Sequence, residues 1–390
     1  MTILLLAVCG CTASGTPESA WEIMTIAQAE QSEPPAVALV DGYIVATWVG
    51  TDTRGVHHDA RVISENRLED PVTLPLPPRQ PHAQQIIPGS NGTAHLLWLD
   101  ADENGVIQLY SALIAVPSLT VIRGSMPISQ QSALRFTALA EPGGSVLIAW
   151  AGGNPAEPGI SLQRIDNEGR PTEQLGYLQA ANYPSLLRTN GELYVYWLGE
   201  QDDGAYRTRI TDDTLRDTLR LTSSPSLATG DRLIDLRAGA DRSHVYLFWN
   251  LARASGACDT WFTTAAATAQ FLPPPAPPRL ASGGATTVET GFNVGFVSGA
   301  QPSEMSTCMA APLDEIGDTL AVGVQSGANT DVAYFSDGQA IGQQVIAAET
   351  GVLLRPPVLL SDRDRNLYLA WSEPTASGVA DLKLARSGAR

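Results

Sequence analysis

The chain has 390 residues, enough for two ordinary domains or one large β architecture. Its hydrophobic content of 44% and charged content of 17% exclude a disordered chain. The formal charge is −17, and Lys383 is the only lysine. Such a surface repels phosphate backbones and argues against nucleic acid as a partner, whereas it suits cations, neutral ligands and basic proteins.

The N-terminus carries a short apolar run, Ile3 to Val8, followed by Val8-Cys9-Gly10-Cys11. This tetrad resembles a bacterial lipobox, in which Cys11 would become the lipidated first residue. It predicts a lipoprotein signal and tether over residues 1–19, an extracytoplasmic protein of the cell envelope, and contact with the membrane through the lipid alone. The apolar run is shorter than a secretory core of roughly 7–15 residues, so an ordinary N-terminus is the alternative.

Six tryptophans mark a repeat along the chain: Trp48, Trp98, Trp150, Trp197, Trp249 and Trp371. The first five are about fifty residues apart. Five of the six are followed seven places later by a glycine. This spacing predicts a hairpin in which a strand ends near the Trp and glycine provides a positive φ where the next strand begins. Trp150 departs from the pattern, with Gly159 nine places later after a Pro-containing insertion.

Each Trp follows a second hairpin signal, such as Asp41-Gly42 or Asn190-Gly191, and is followed by two further strand-like segments. Four antiparallel strands per repeat predict an all-β fold, a single closed β-propeller over residues 20–390. Segments at 292–298 and 330–338, each expected to be a second strand, bring the count to eight blades. Seven is the alternative, if residues 312–350 elaborate one blade. The N-terminal strand, residues 21–28, is expected to close the last blade.

Acidic residues cluster in the loops between second and third strands, which open on one face of a propeller. They predict an acidic ligand-binding face formed by Asp52, Asp100, Asp102, Asp202 and Asp203. Solvated turn residues are the alternative, because Asp favours turns for backbone reasons.

The segment Asp100 to Gly105 matches the first half of an EF-hand loop, with oxygen ligands at Asp100, Asp102 and Asn104. The twelfth position is Ser111, so the bidentate Glu is missing. No cofactor is therefore expected, and a single calcium ion is the alternative. His57 and His58 point to opposite faces of a strand and are not expected to share a metal.

Cys258 and Cys308 occupy similar places in successive repeats, which favours a disulfide in an exported protein, with two free thiols as the alternative. The tryptophans stand at one regular place in each repeat. We therefore expect them to pack between blades, with each indole N–H bonded to a neighbouring carbonyl.

The repeat layout of residues 20–388 and the lipobox before them resemble those of sialidase-like (BNR-type) bacterial lipoprotein propellers. The Ser-x-Asp-x-Gly-x-x-Trp turns of that family are absent from the sequence. Glycosidase members of that group imply paired carboxylates, a Tyr nucleophile and an arginine cluster. Arginines in or near predicted first strands are Arg135, Arg188, Arg237 and Arg355.

No familiar catalytic motif is present. We therefore expect a monomeric, non-enzymatic module that binds a protein or glycan on the acidic face. The alternative is a glycoside hydrolase or lyase that uses the carboxylates of Asp100, Asp102 and Asp202.

Overall fold

The computed structural model describes the following residues: 21–30, 33–53, 55–64, 67–154, 156–200, 204–221, 229–252, 254, 258–266, 279–282, 313–316, 318–326, 329–347, 357–362, 364–375 and 378–387. Every regular element in these residues is a β-strand, which confirms the all-β prediction. None of them forms a helix long and apolar enough to cross a bilayer.

The strands are numbered in chain order, and the N-terminal strand is β1 (Glu22–Ala29). The first sheet contains β2 (Ala36–Val40), β3 (Tyr43–Asp52), β4 (Gly55–Ser64), β5 (Arg67–Leu68) and β6 (Val72–Leu74). The second contains β7 (His82–Pro88), β8 (Thr93–Ala101), β9 (Ile107–Ala115) and β10 (Thr120–Pro127). The third contains β11 (Ala133–Ala140), β12 (Val146–Asn154), β13 (Glu157–Ile165) and β14 (Pro171–Gln179).

The fourth sheet contains β15 (Ala181–Thr189), β16 (Glu192–Gly199), β17 (Ala205–Thr211) and β18 (Thr214–Arg220). The fifth contains β19 (Arg232–Ala240), β20 (His244–Ala252), β21 (Cys258–Ala266) and β22 (Arg279–Ser282). The sixth contains β23 (Leu313–Ile316), β24 (Thr319–Ser326), β25 (Asn329–Ser336) and β26 (Gln339–Ala347). The last contains β27 (Val358–Ser361), β28 (Leu367–Pro374) and β29 (Ala380–Arg386), together with β1.

The described residues thus form a β-propeller of antiparallel blades, with six sheets of four strands and one of five. The prediction of eight four-stranded blades is wrong, because the described residues form seven sheets, six of them with the predicted four strands. The extra blade was placed at residues 292–298, outside the described residues. The strand β25 was expected to be a second strand but lies third in its sheet, between β24 and β26. Its Asp337-Gly338 turn resembles those that precede second strands elsewhere, and this repeat has no Trp to mark the register.

The N-terminal strand completes the last sheet, as the sequence predicted. β1 pairs antiparallel with β29, with Glu22 opposite Arg386 and Ala29 opposite Ala380. The first strands of successive sheets lie side by side from β2 through β7, β11, β15, β19 and β23 to β27, which in turn contacts β2.

Apolar clusters between neighbouring sheets form the core, and the described tryptophan side chains lie in them. Trp48 packs with Tyr368 and Leu382 of the last sheet. Trp98, Trp150, Trp197 and Trp371 likewise pack against the preceding sheet. The packing prediction is confirmed for these five residues. The predicted indole bonds to carbonyl groups are not found: Trp197 donates to the Thr208 hydroxyl at 3.1 Å, and the N–H groups of Trp98 and Trp371 have no partner.

The strand directions give each sheet two distinct ends. At one end the first strand begins and the second turns into the third, as at Asp52 and Gly55. We call this the mouth end. At the opposite end the first strand turns into the second and the third into the fourth. Gly55, Gly105 and Gly378, all at the mouth end, have φ of 110°, 78° and 82°, as the hairpin prediction required.

Candidate functional site

Four consecutive first strands are interrupted near the mouth end. β7, β11, β15 and β19 each contain a register shift close to their beginning. Three non-glycine residues at these bulges adopt left-handed conformations: Ala83 (φ 52°), Tyr183 (φ 53°) and Asp235 (φ 57°). Such conformations cost free energy and cluster at functional sites, and bulges redirect side chains there. The repetition at one end of the molecule marks this surface as the candidate site.

An arginine and a tyrosine meet across two of these strands. The Arg135 guanidinium carbon lies 3.8 Å from the centroid of the Tyr183 ring, so β11 and β15 are joined by a cation–π contact. Both side chains are half-buried, whereas Leu134, at the bulge in β11, is 61% exposed. The Asn182 side-chain oxygen accepts the Tyr183 N–H at 2.9 Å and holds the bulged residue in place.

Polar groups on the segment before β2 and on β19 add to the site. The Glu33 carboxylate accepts the N–H of the bulged Ala83 at 2.8 Å. The Asp235 carboxylate lies 3.7 Å from Nε of Arg237. A phenol, two guanidinium groups and two carboxylates therefore lie at or beside these bulges toward the mouth end, and all of them can bond to a polar ligand.

Hydrogen bonds between successive first strands fix the spacing of these groups. The Gln85 side-chain amide donates to the Phe136 carbonyl at 3.4 Å, from the second sheet to the third. The Ala238 N–H donates to the Ser185 hydroxyl at 2.9 Å, between the fifth and fourth sheets.

Of the predicted acidic residues, Asp100 lies at the mouth end but is only 5% exposed. Its carboxylate accepts the main-chain N–H groups of Gln80 and Ala101 at 2.6 and 2.8 Å, and also that of Arg79. This residue anchors the loop that leads into β7. Because its oxygens are used in this way, Asp100 contributes mainly to structure.

Asp102 and Asn104 form the turn that carried the calcium hypothesis. The Asp102 carboxylate accepts the N–H groups of Asn104 and Val106 at 2.8 and 2.9 Å. Chiefly the bond from Val106 holds the pKa of Asp102 below its usual value, although burial opposes the shift. Among the described residues, no group of three or more His, Cys, Asp or Glu side chains is placed to hold a metal. Calcium binding stays a prediction.

Asp52 lies in an exposed hairpin near a histidine. His57 Nε2 is 3.2 Å from the Asp59 carboxylate, and its Nδ1 is 3.9 Å from that of Asp52. His58 points the other way and is fully buried, which confirms that the two histidines face opposite sides. Burial lowers the pKa of His58 to about 4; the charge of Asp100 opposes this shift, and His57 adds to it. His58 Nδ1 lies 3.2 Å from the Gln84 side-chain nitrogen, beneath the bulge in β7.

Several predicted positions lie outside the described residues: Asp202, Asp203, Cys11, Cys308 and Arg355. Cys258 begins β21, but its side chain is not among those described. The acidic face, the lipidation and the disulfide therefore stay predictions.

The predicted arginines separate between the two ends. Arg135 and Arg237 lie toward the mouth end, whereas Arg188 lies near the opposite end and donates to Glu141 at 3.2 Å. Sequence reasoning missed Tyr183, Glu33 and Asp235 as site residues. A bulge changes the register without a repeated motif, so the periodicity that located the strands did not mark these positions.

The opposite end carries acidic turns whose oxygens are used internally. Asp362 accepts bonds from the Asn366 side chain at 2.7 Å and from the Tyr368 hydroxyl at 3.0 Å. Burial alone would raise the pKa of Asp362, but these bonds outweigh it and lower the pKa. Burial and the bond to Asp362 raise the pKa of Tyr368 to about 12. Asp241 similarly accepts the Ser243 and His244 N–H groups and the Tyr246 hydroxyl.

No protein-family model matches this chain, and no curated protein matches it either. Solved structures do match. The polysaccharide lyase Uly1 is similar with a TM-score of 0.59 and 9% identity, over 91% of this chain and 90% of that one.

Two fungal glycoside hydrolases are also similar. The GH93 α-L-arabinofuranosidase of Fusarium graminearum, in complex with arabinobiose, has a TM-score of 0.53 and 12% identity, over 80% of this chain and 95% of that one. The α-L-arabinanase of Penicillium chrysogenum has a TM-score of 0.50 and 12% identity, over 78% and 92%. At these identities the similarity shows the propeller fold alone. The sialidase-like resemblance stays a prediction.

Proposed function

We propose that this propeller is a carbohydrate-active enzyme that cleaves a polysaccharide at the mouth end. The observation that carries the proposal is the Arg135–Tyr183 pair, held at 3.8 Å across two bulged first strands. The similar solved structures include glycoside hydrolases and a polysaccharide lyase, which favours the enzyme over the binding module expected from sequence.

The pair fits elimination from a uronic acid residue. A guanidinium binds a carboxylate with charge-assisted hydrogen bonds, and Arg135 would hold the sugar carboxylate in this way. Tyr183, as a phenolate beside the Arg135 guanidinium, would take the proton from the carbon next to that carboxylate and pass it to the leaving oxygen, which restores the phenolate. The electron pair left on that carbon forms the new C=C bond, the bond to the glycosidic oxygen breaks, and the leaving oxygen takes up a proton.

Hydrolysis of a neutral glycan is the second candidate, and the carboxylates favour it. Glycosidases use two carboxyl groups on opposite sides of the cleaved bond, one as acid and one as base or nucleophile. Glu33, which precedes β2, bonds to the bulge of the second sheet, and Asp235 occupies the bulge of the fifth sheet, both at the mouth end. Water is the second substrate in this reaction, and no sugar carboxylate is required.

The experiment is a cleavage assay with arabinan as the neutral polymer and polygalacturonate as the acidic one. Elimination creates unsaturated uronides that absorb ultraviolet light, whereas hydrolysis creates reducing ends without this absorbance. We expect polygalacturonate to give the unsaturated product and Tyr183→Phe to abolish it. Arabinan cleavage alone would select hydrolysis. Cleavage of neither polymer, in a folded protein, would overturn the proposal for these substrates.

The anchor and the location are part of the same proposal. Lipidation of Cys11 would place the enzyme outside the cytoplasm, where polysaccharides are available to it. One acyl chain binds a membrane only marginally, so several chains are needed for stable attachment. We expect labelled palmitate to be incorporated into wild type and not into Cys11→Ser. Absence of label from both proteins would refute the lipid anchor.

A further inference from the structure

The hairpin of the third sheet at the mouth end is unlike the others. It follows Trp150, the tryptophan that lacks a glycine seven places later, and it contains Gly152, Gly153 and Gly159. Gly153 adopts a φ of 96°, and its N–H donates to the Ser132 carbonyl at 2.8 Å. The hairpin is therefore tied to the segment that enters β11, directly before Leu134 and Arg135.

Two of these glycines are required by close approach of other groups. A Cβ on Gly152 would collide with the Ser132 carbonyl oxygen. A Cβ on Gly159 would lie 2.5 Å from both Cζ and the hydroxyl oxygen of Tyr177, so this ring rests directly on the hairpin backbone. The Tyr177 hydroxyl donates to the Glu157 carbonyl, which fixes the ring in that position.

The ring of Tyr177 is held in place and yet remains 41% exposed. An immobilised, partly exposed aromatic ring offers a binding surface at low conformational-entropy cost. Leu134, which is 61% exposed, lies at the inner edge of the same sheet beside Arg135. The two residues lie on the first and fourth strands of this sheet, and three strand spacings of ~4.8 Å place their strands about 14 Å apart. Gly152, Gly153 and Gly159 add no side chains of their own between them, and the Gln131 side-chain oxygen lies 3.4 Å from where a Cβ on Gly153 would be.

We propose that the surface from Leu134 across the glycine hairpin to Tyr177 is a sugar-binding subsite, in which Tyr177 stacks on a sugar ring remote from the cleaved bond. The inference rests on the proposed function and adds to it a preference for polymers over disaccharides. The apolar face of a pyranose or furanose ring fits a tyrosine ring, and its hydroxyl groups stay in water. The binding energy of such a remote contact supports catalysis at the reacting bond.

The test compares Tyr177→Ala and Tyr177→Phe with a control, Ile122→Ala. Ile122 is 56% exposed on β10 of the second sheet, so its substitution also removes an exposed apolar side chain. The probes are arabinan, polygalacturonate and the corresponding disaccharides. We expect Tyr177→Ala to lower kcat/KM for the cleaved polymer about tenfold, with the disaccharide unchanged. Tyr177→Phe keeps the ring but loses the bond to the Glu157 carbonyl, so its kcat/KM should lie between that of Tyr177→Ala and that of wild type.

Retardation in native gels that contain each polymer separates binding from cleavage. If wild type cleaves a polymer and Tyr177→Ala matches it in rate and retardation, the subsite is refuted and the enzyme stands. If wild type is retarded without cleavage and Tyr177→Ala is not, the subsite stands and the enzyme is refuted. If wild type shows no cleavage and no retardation with either polymer, both the subsite and the enzyme are refuted. Equal losses in Tyr177→Ala and Ile122→Ala also refute the subsite.

Discussion

The two ends of the propeller use polar residues in different ways. At the opposite end, the acidic turns are internally paired: Asp362 with Asn366 and Tyr368, and Asp241 with Tyr246. The mouth end also has internally paired carboxylates, those of Asp100 and Asp102, but there bulges in four successive first strands place half-buried charged groups as well.

Polar groups that are bonded internally stabilise the fold, whereas charged groups on bulged strands are candidates for function. A buried carboxylate that accepts several hydrogen bonds stabilises the fold, and its removal leaves its donors unsatisfied. A strained, bulged backbone adds no comparable stability, which is why such positions suggest function.

The largest expected effect is the loss of cleavage in Arg135→Ala. Removal of a positioned charge that stabilises the transition state typically lowers kcat by roughly 10²–10³-fold. Its matched control is Arg386→Ala, because Arg386 also lies over a tyrosine ring, 5.7 Å from the Tyr368 centroid, at the opposite end. Steady-state kinetics with the cleaved polymer should show the loss in Arg135→Ala alone. Equal losses in both variants would remove the distinction between the ends.

The next largest expected effect is on the free energy of unfolding at acidic pH, through His58, which is buried beneath the mouth end. Burial lowers the pKa of His58 from 6.5 to about 4, so the folded state favours the neutral imidazole. The resulting stability is present above pH 6.5 and is lost as the pH falls toward 4. The shift corresponds to about 3 kcal/mol. Urea unfolding at pH 7 and pH 4 should show a smaller pH dependence for His58→Gln than for wild type. An unchanged dependence would contradict the buried neutral histidine.

The smallest effect contrasts two tyrosines. Tyr368→Phe removes a hydroxyl that donates to Asp362 and should lower the free energy of unfolding by about 1 kcal/mol, with cleavage unchanged. Tyr183→Phe should abolish cleavage and leave the unfolding free energy near that of wild type. Thermal melts and polymer assays on both variants provide the comparison. A stability loss in Tyr183→Phe that matches Tyr368→Phe would give Tyr183 a structural role.

Much of the fold could be predicted from sequence, because its signals recur. The tryptophans and the turn residues located most strands, and the N-terminal strand was correctly paired with the end of the chain. The number of blades was wrong where the Trp was missing. In β25, an Asp-Gly turn alone does not tell whether it follows the first or the third strand.

The candidate site was less predictable, for a physical reason. Asp100 and Asp102 stood out as acidic residues in loops, yet their carboxylates accept local main-chain bonds. Tyr183 is a single residue at a bulge, and it meets Arg135 only when neighbouring sheets are assembled. Spacing along the chain reports strands and turns, but it does not report contacts between first strands of different sheets.

The most direct measurement is a crystal structure of the protein soaked with arabino-oligosaccharides and galacturono-oligosaccharides. We predict sugar density at the mouth end, with a ring or carboxylate against Arg135 and Tyr183. A cavity of about 450 Å³ at the opposite end, lined by Asp41, Asp362 and Tyr368, provides the internal comparison. Density there, with an empty mouth, would contradict the assignment of function to the bulged first strands.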